Sequence, residues 1–155
     1  LFLFPKLSKE IGYSSITISN ILGSLFTLRF LSFLIFSRFS MELTEGKIFV
    51  SYLIPCFSFI ITGIVKIPFL HLLSISSLGI SSALSFKLVF SEIAKKGYST
   101  ELNEIIIGIG WLTGPLFIGF LSHILGISKG FISAGIFVLF VYIIQKIIFL
   151  KNELD

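Results

Sequence analysis

Five runs of 18 to 23 residues, each nearly free of charge, leave this chain few ways to fold. They lie at about 16–37, 48–65, 69–91, 104–125 and 130–150. An α-helix needs about 20 apolar residues to cross the hydrocarbon core of a bilayer. Backbone groups in lipid must bond internally, so apolar runs of that length are helices there. Barrel strands would be about 10 residues long with alternating faces, and no run here sustains such alternation. Composition points the same way. Only 13% of the residues are charged and the mean hydropathy is +1.04, whereas soluble chains carry about 25% charged residues. The expected fold class is all-α: a polytopic membrane protein, one helical domain over 1–155, with the lipid bilayer as its solvent.

The breaks between the runs carry turn chemistry. MELTEGK follows the first, and Lys66-Ile67-Pro68 separates the second from the third. Pro68 suits the first turn of a helix, where its missing N–H is not needed. In KKGYSTELNE, Gly97 fits the position after a helix end, and Ser99 or Thr100 can cap the next helix, with Asn103 and Glu104 in its first turn. Gly126-Ile127-Ser128-Lys129-Gly130 forms the last break. The chain opens on LFLFPKLSKE, which reads as the tail of an apolar element and then a loop, as at the cut end of a longer protein.

Lys and Arg in short loops set orientation. One side holds six of them, Arg38, Lys47, Lys95, Lys96, Lys146 and Lys151, and the other four, Lys6, Lys9, Lys66 and Lys129. That bias puts the C-terminus in the cytoplasm, with the plasma membrane as the expected location. The net charge of +4 is dispersed. A nucleic-acid partner would want a clustered basic face, so none is expected. Cys56, the single cysteine, reads as a small buried hydrophobe.

Arg29 is the residue least at home in lipid. It falls near the middle of the first run, where a charge costs from about 2.5 to more than 10 kcal/mol. It should face the bundle interior or a watery cavity. Its helical-wheel neighbours include Ser32, and Thr17, Asn20, Ser24 and Thr27 extend the polar sector. Arg29, Asn20, Ser24 and Ser32 are therefore the substrate-cavity candidates. The competing role for Arg29 is a structural brace bonded to carbonyls or to a carboxylate on another helix. Lys87 and Lys146 sit close enough to helix ends to snorkel. Ser77, Ser81 and Ser85, with Gly79 and Ala83, give the third run a small-residue face suited to close helix packing, or to lining a pore. In the fourth run, Gly110 and Gly114 form a GxxxG pair, Pro115 tends to kink the helix, and Gly119 follows. Trp111 reads as core or interface. His71 and His123 lie on different runs without cysteine or carboxylate partners, so no metal site is expected. Glu92, Glu101 and Glu104 read as cap and loop residues. No hydrolase serine motif, HExxH site, phosphate loop or paired intramembrane aspartates occur, so neither an enzyme nor a cofactor is expected.

The fourth run, GIGWLTGPLFIGFLSHILG, resembles the eleventh helix of the major facilitator superfamily of transporters. There a glycine-dotted stretch leads into Gly-Pro, with another glycine four or five residues later. Gly110, Gly114, Pro115 and Gly119 take those places. The opening, LFLFPKLSKEIGYSSITISNILGSL, is similar to the end of the seventh helix, an outer loop and a glycine-bearing eighth helix, with Glu10, Gly12, Ser14 and Gly23 carrying the likeness. Ser37-Arg38-Phe39-Ser40-Met41 departs from the family's inner-loop D-R-x-G-R pattern, keeping one arginine. The resemblance implies that the five runs are helices eight to twelve, the C-terminal part of a secondary transporter. Its N-terminal helices would then be partners, and an unknown small solute its substrate. It also implies alternating access around a midplane site, with a proton as the expected coupling ion. The alternatives are a membrane subunit of another permease, and a non-transport polytopic protein or gene remnant.

Overall fold

In a computed structural model, which describes residues 3–39, 42, 44–97 and 100–152, six helices follow one another: α1 (Phe4–Ile11), α2 (Ser15–Ser37), α3 (Glu45–Ile64), α4 (Pro68–Lys96), α5 (Thr100–Leu125) and α6 (Ile127–Asn152). No strand occurs among the described residues. The last five helices are each long and apolar enough to cross a membrane.

Their boundaries follow from local chemistry. Ser14 caps α2, its Oγ accepting the Thr17 N–H at 3.2 Å. Ile67 is extended (φ −105°, ψ 121°), as a residue before proline prefers, and Pro68 then opens α4. Gly97 ends α4 in the left-handed region at φ 67°, with its N–H on the Ile93 carbonyl. Helix α5 begins at Thr100, so Thr100 is helical instead of capping, and Ser99 lies outside the described residues. The segment expected as an apolar tail and loop is instead the helix α1. Pro5 starts it, and Phe4 and Leu7 are buried on one face while Lys6, Lys9 and Glu10 stay outside. A run of eight residues with charges on one side is amphipathic, and it forms a helix because a core is there to receive its apolar side.

The main contacts join α2 to α4, α4 to α3, α3 to α6 and α6 to α5. The helices therefore run across the bundle in the order α2, α4, α3, α6, α5. Hydroxyls stitch the central helices: Ser24 to Ser76 at 2.6 Å, Ser58 to Ser77 at 2.7 Å and Thr62 to Ser74 at 3.2 Å. Ser81 Oγ also donates to the Ser51 carbonyl at 2.9 Å. Ser77, Gly79 and Ala83 of the small-residue face of α4 thus pack against neighbouring helices, with Ala83 fully buried. Backbones touch at glycines. A Cβ at Gly79 would collide with the Leu25 carbonyl of α2, and one at Gly135 would lie 2.7 Å from the Cys56 carbonyl of α3. A Cβ at Gly63 would likewise collide with the Ser128 carbonyl of α6.

At one end Phe4 and Leu7 of α1 close over Ile21, Leu25, Ile75, Leu78 and Phe131. At the other end Glu42 lies beside the end of α4. Lys47 Nζ donates to the Glu42 carbonyl at 3.0 Å, and Glu42 sits 3.9 Å from Lys95. The outside is apolar on every spanning helix: Phe26, Phe30, Phe57, Ile64, Leu73, Leu116, Phe120, Ile136 and Phe140 are all exposed. Apolar surface on that scale is stable against acyl chains, not against water.

Candidate functional site

Between α2, α3, α4 and α6 lies a cavity of about 480 Å³, nearer the end that carries Arg38 and Lys47. Its walls are mostly aliphatic and aromatic: Leu25, Pro55, Phe59, Leu78, Leu88 and Val138 contribute. The polar lining comes from Arg29, Ser51, Tyr52, Ser81, Ser82, Ser85 and Gln145.

Arg29 reaches the cavity because α2 and α4 cross at Gly79, whose missing side chain lets the Leu25–Arg29 backbone settle against α4. The side chain is partly buried, and its guanidinium lies 5.3 Å from the ring centroid of Phe86 and 5.8 Å from that of Phe33. Cation–π contact of this kind is worth about 0.5–2 kcal/mol, which offsets only part of the cost of a mid-span charge. Among the described residues Arg29 makes no ion pair and no hydrogen bond. Its N–H groups lack an acceptor there.

The other polar groups divide into two sets. Ser51 donates to the Ile48 carbonyl, Ser81 to that of Ser51 and Ser82 to that of Gly79. Those hydroxyl protons are used, so they present only lone pairs. The Tyr52 and Ser85 hydroxyls and the Gln145 amide make no hydrogen bond among the described residues, and Gln145 Oε1 is buried.

Of the residues singled out in the sequence, Arg29 lines the cavity. Ser24 instead donates to the Ile21 carbonyl and meets Ser76 at the α2–α4 contact. Ser32 is buried, and Asn20 and Thr27 are exposed on the outside of α2. The polar sector of α2 therefore divides between a helix contact, a cavity and an uncovered face. Tyr52, Ser85 and Gln145 complete the site. Gln145 carried a signal, being an uncharged amide inside an apolar run, and Ser85 belonged to the small-residue face.

A Cβ at Gly110, Gly114 or Gly119 would meet nothing within 4 Å, and Pro115 is exposed within a continuous helix. Among the described residues these positions pack on no other helix; the side chains of Trp111, Asn103 and Glu92 lie outside the described residues. Helix α5 instead meets α6 where Gly130 admits Ser122. In this chain by itself, Gly110→Ala and Gly119→Ala are each expected to stabilise α5 by roughly 0.5–1 kcal/mol through helix propensity. Thermal unfolding in detergent checks this, and a loss of stability would contradict the open glycine face.

His71 and His123 are far from equivalent. His123 is exposed on α5, whereas His71 is fully buried beneath α1. Nε2 of His71 lies 3.1 Å from the Thr62 carbonyl, so it carries the proton. The rings of Phe4 and Tyr13 stand edge-on at 5.5 and 5.6 Å. Burial pushes the Tyr13 phenol up from its usual value, keeping it neutral.

No protein-family model, curated protein or solved structure matches the chain.

Proposed function

We propose that this chain is the C-terminal part of a secondary transporter of the major facilitator type, moving a small solute by alternating access, with the Arg29 cavity on the solute path. The observation that carries this reading is the guanidinium of Arg29 in mid-span, without an ion pair or hydrogen bond among the described residues and lining a cavity framed by four spanning helices. A mid-span cation without a counter-ion is costly to keep, and intramembrane ionisable groups that line cavities mark substrate and ion paths. The cavity volume, about 480 Å³, falls in the range of small-molecule sites. The uncovered glycine face of α5 and the exposed Asn20 and Thr27 of α2 fit contacts with the N-terminal helices of the same transporter. In this reading the chain performs no catalysis, needs no cofactor and sits in the plasma membrane with its C-terminus cytoplasmic.

The test is uptake and efflux over a solute panel by the full-length protein and its Arg29→Ala variant, with membrane expression measured in both. The expected result is saturable movement of at least one solute, reduced roughly tenfold or more in the variant, since a charge-assisted hydrogen bond of about 1.5–3 kcal/mol is lost. Equal transport by both proteins would reduce Arg29 to a brace. Absence of transport by the parent over the whole panel would contradict the reading.

A further inference from the structure

The cavity carries one positive charge, that of Arg29, and no carboxylate among its lining residues. Among the described residues its unspent donors are few and lie on separate helices: the guanidinium on α2, the Tyr52 hydroxyl on α3, the Ser85 hydroxyl on α4 and the Gln145 amide on α6. Every other lining hydroxyl gives its proton to a backbone carbonyl. The remaining walls are hydrocarbon. A neutral apolar guest would leave the guanidinium without an acceptor, and a cation would meet repulsion. A polyanion would bring more charge than one guanidinium can match, into walls that offer few further donors.

We infer that the cavity selects an amphipathic monoanion: one carboxylate or similar head on Arg29, with Tyr52 and Ser85 as neutral donors, and an apolar body against Leu25, Leu78 and Val138. The inference rests on the cavity being a solute site, as the transport reading holds, and adds the class of solute. Planar bidentate pairing is what guanidinium offers a carboxylate. The Phe33 and Phe86 rings stand beside the guanidinium, at 5.8 and 5.3 Å, and cation–π attraction to them restrains it before the anion arrives. The same chemistry occurs in a free aryl carboxylate and in an anionic lipid whose head enters from the bilayer.

The test is equilibrium binding of benzoate to the full-length protein in phosphatidylcholine nanodiscs. Benzyl alcohol, benzylammonium and citrate serve as comparison probes. Benzoate is expected to bind saturably, and roughly tenfold or more weaker in Arg29→Gln. Ser85→Ala, which removes only a hydroxyl, is expected to weaken it about threefold to tenfold and guards against a folding defect in the first variant. Benzyl alcohol, benzylammonium and citrate are expected to bind at least tenfold more weakly than benzoate. In nanodiscs containing phosphatidylglycerol, competition with benzoate would identify a lipid head as the anion's source, and undiminished benzoate binding would identify a free solute; both support the inference. Binding of benzylammonium or citrate as tight as benzoate, benzoate binding indifferent to Arg29→Gln, or no Arg29-dependent effect of either anion would overturn it. Binding without uptake leaves this inference standing and removes the transport reading. Uptake of a neutral or cationic solute without benzoate binding does the reverse.

Discussion

Gly79→Ala is expected to force α2 and α4 apart and to destabilise the bundle by about 1–3 kcal/mol, the usual cost of inserting atoms into a packed contact. The new Cβ would run into the Leu25 carbonyl and come within 3.0 Å of the Arg29 nitrogen. Both are backbone atoms, so no rotamer change relieves the clash and a helix must move. Gly79→Leu should cost more. Membrane helices associate through close packing and hydrogen bonds, without a hydrophobic drive between them, so separation also strains the Ser24–Ser76 bond. Gly23 supplies the comparison, since it sits on α2 and a Cβ added there would meet nothing within 4 Å. Gly23→Ala should be neutral or stabilising by up to about 1 kcal/mol. Reversible unfolding in mixed micelles measures both, and equal effects would contradict the α2–α4 contact described above. Because the Arg29 backbone forms part of the clash, Gly79→Ala should also lower any Arg29-dependent transport, whereas Gly23→Ala should leave it unchanged.

His71→Ala is expected to cost about 2–4 kcal/mol and to release α1. The side chain is fully buried. Its loss opens a cavity under Phe4 and Tyr13, and leaves the Thr62 carbonyl without its imidazole donor. The release is local: hydrogen exchange of the 4–11 amides should rise by an order of magnitude or more, while that of α3 and α6 changes less. His71→Gln keeps an N–H donor and a similar length, so it should recover part of the protection. Unchanged exchange over 4–11 in the alanine variant would show that α1 is held by other contacts.

Much of this architecture is readable from residues alone, for definite reasons. A run of about 20 apolar residues has one stable form in lipid, so the spans expected at 16–37 and 48–65 appear as Ser15–Ser37 and Glu45–Ile64. Pro68 and Gly97 mark helix ends because backbone sterics leave them little choice. Which faces meet is another matter. A helix apolar all round gives no sign of which side turns to lipid and which to a neighbour. Of the glycines noticed in the sequence, Gly79 packs on α2, whereas Gly110 and Gly114 face open space among the described residues; Gly63, Gly130 and Gly135 form contacts that their spacing did not single out. Helix α1 was obscured by its length, since eight residues need a tertiary core to stay helical.

The site was legible in proportion to its cost. A mid-span charge is expensive wherever it points, so Arg29 stood out, and it lines the cavity. Serine hydroxyls are cheap because they can bond back to their own helix. Their presence therefore did not say whether Ser24 would meet Ser76 or Ser85 would reach the cavity. That depends on how the helices rotate against one another, which Gly79 settles by close contact with α2.

Transport through this bundle and selection of an anion both require that Arg29 belong to a water-accessible cavity inside it. Cysteine accessibility in intact membranes probes that requirement without assuming any solute. With the single native thiol removed as Cys56→Ala, Ser85→Cys lines the cavity and Phe30→Cys points outward from α2. A small water-soluble thiosulfonate is expected to label Ser85→Cys and to leave Phe30→Cys unmodified. The sulfonate-bearing reagent should react several-fold faster than the ammonium-bearing one, and Arg29→Gln should remove this preference. A Ser85→Cys thiol as unreactive as that of Phe30→Cys would contradict the cavity's role, because the space around Arg29 would then be closed to water.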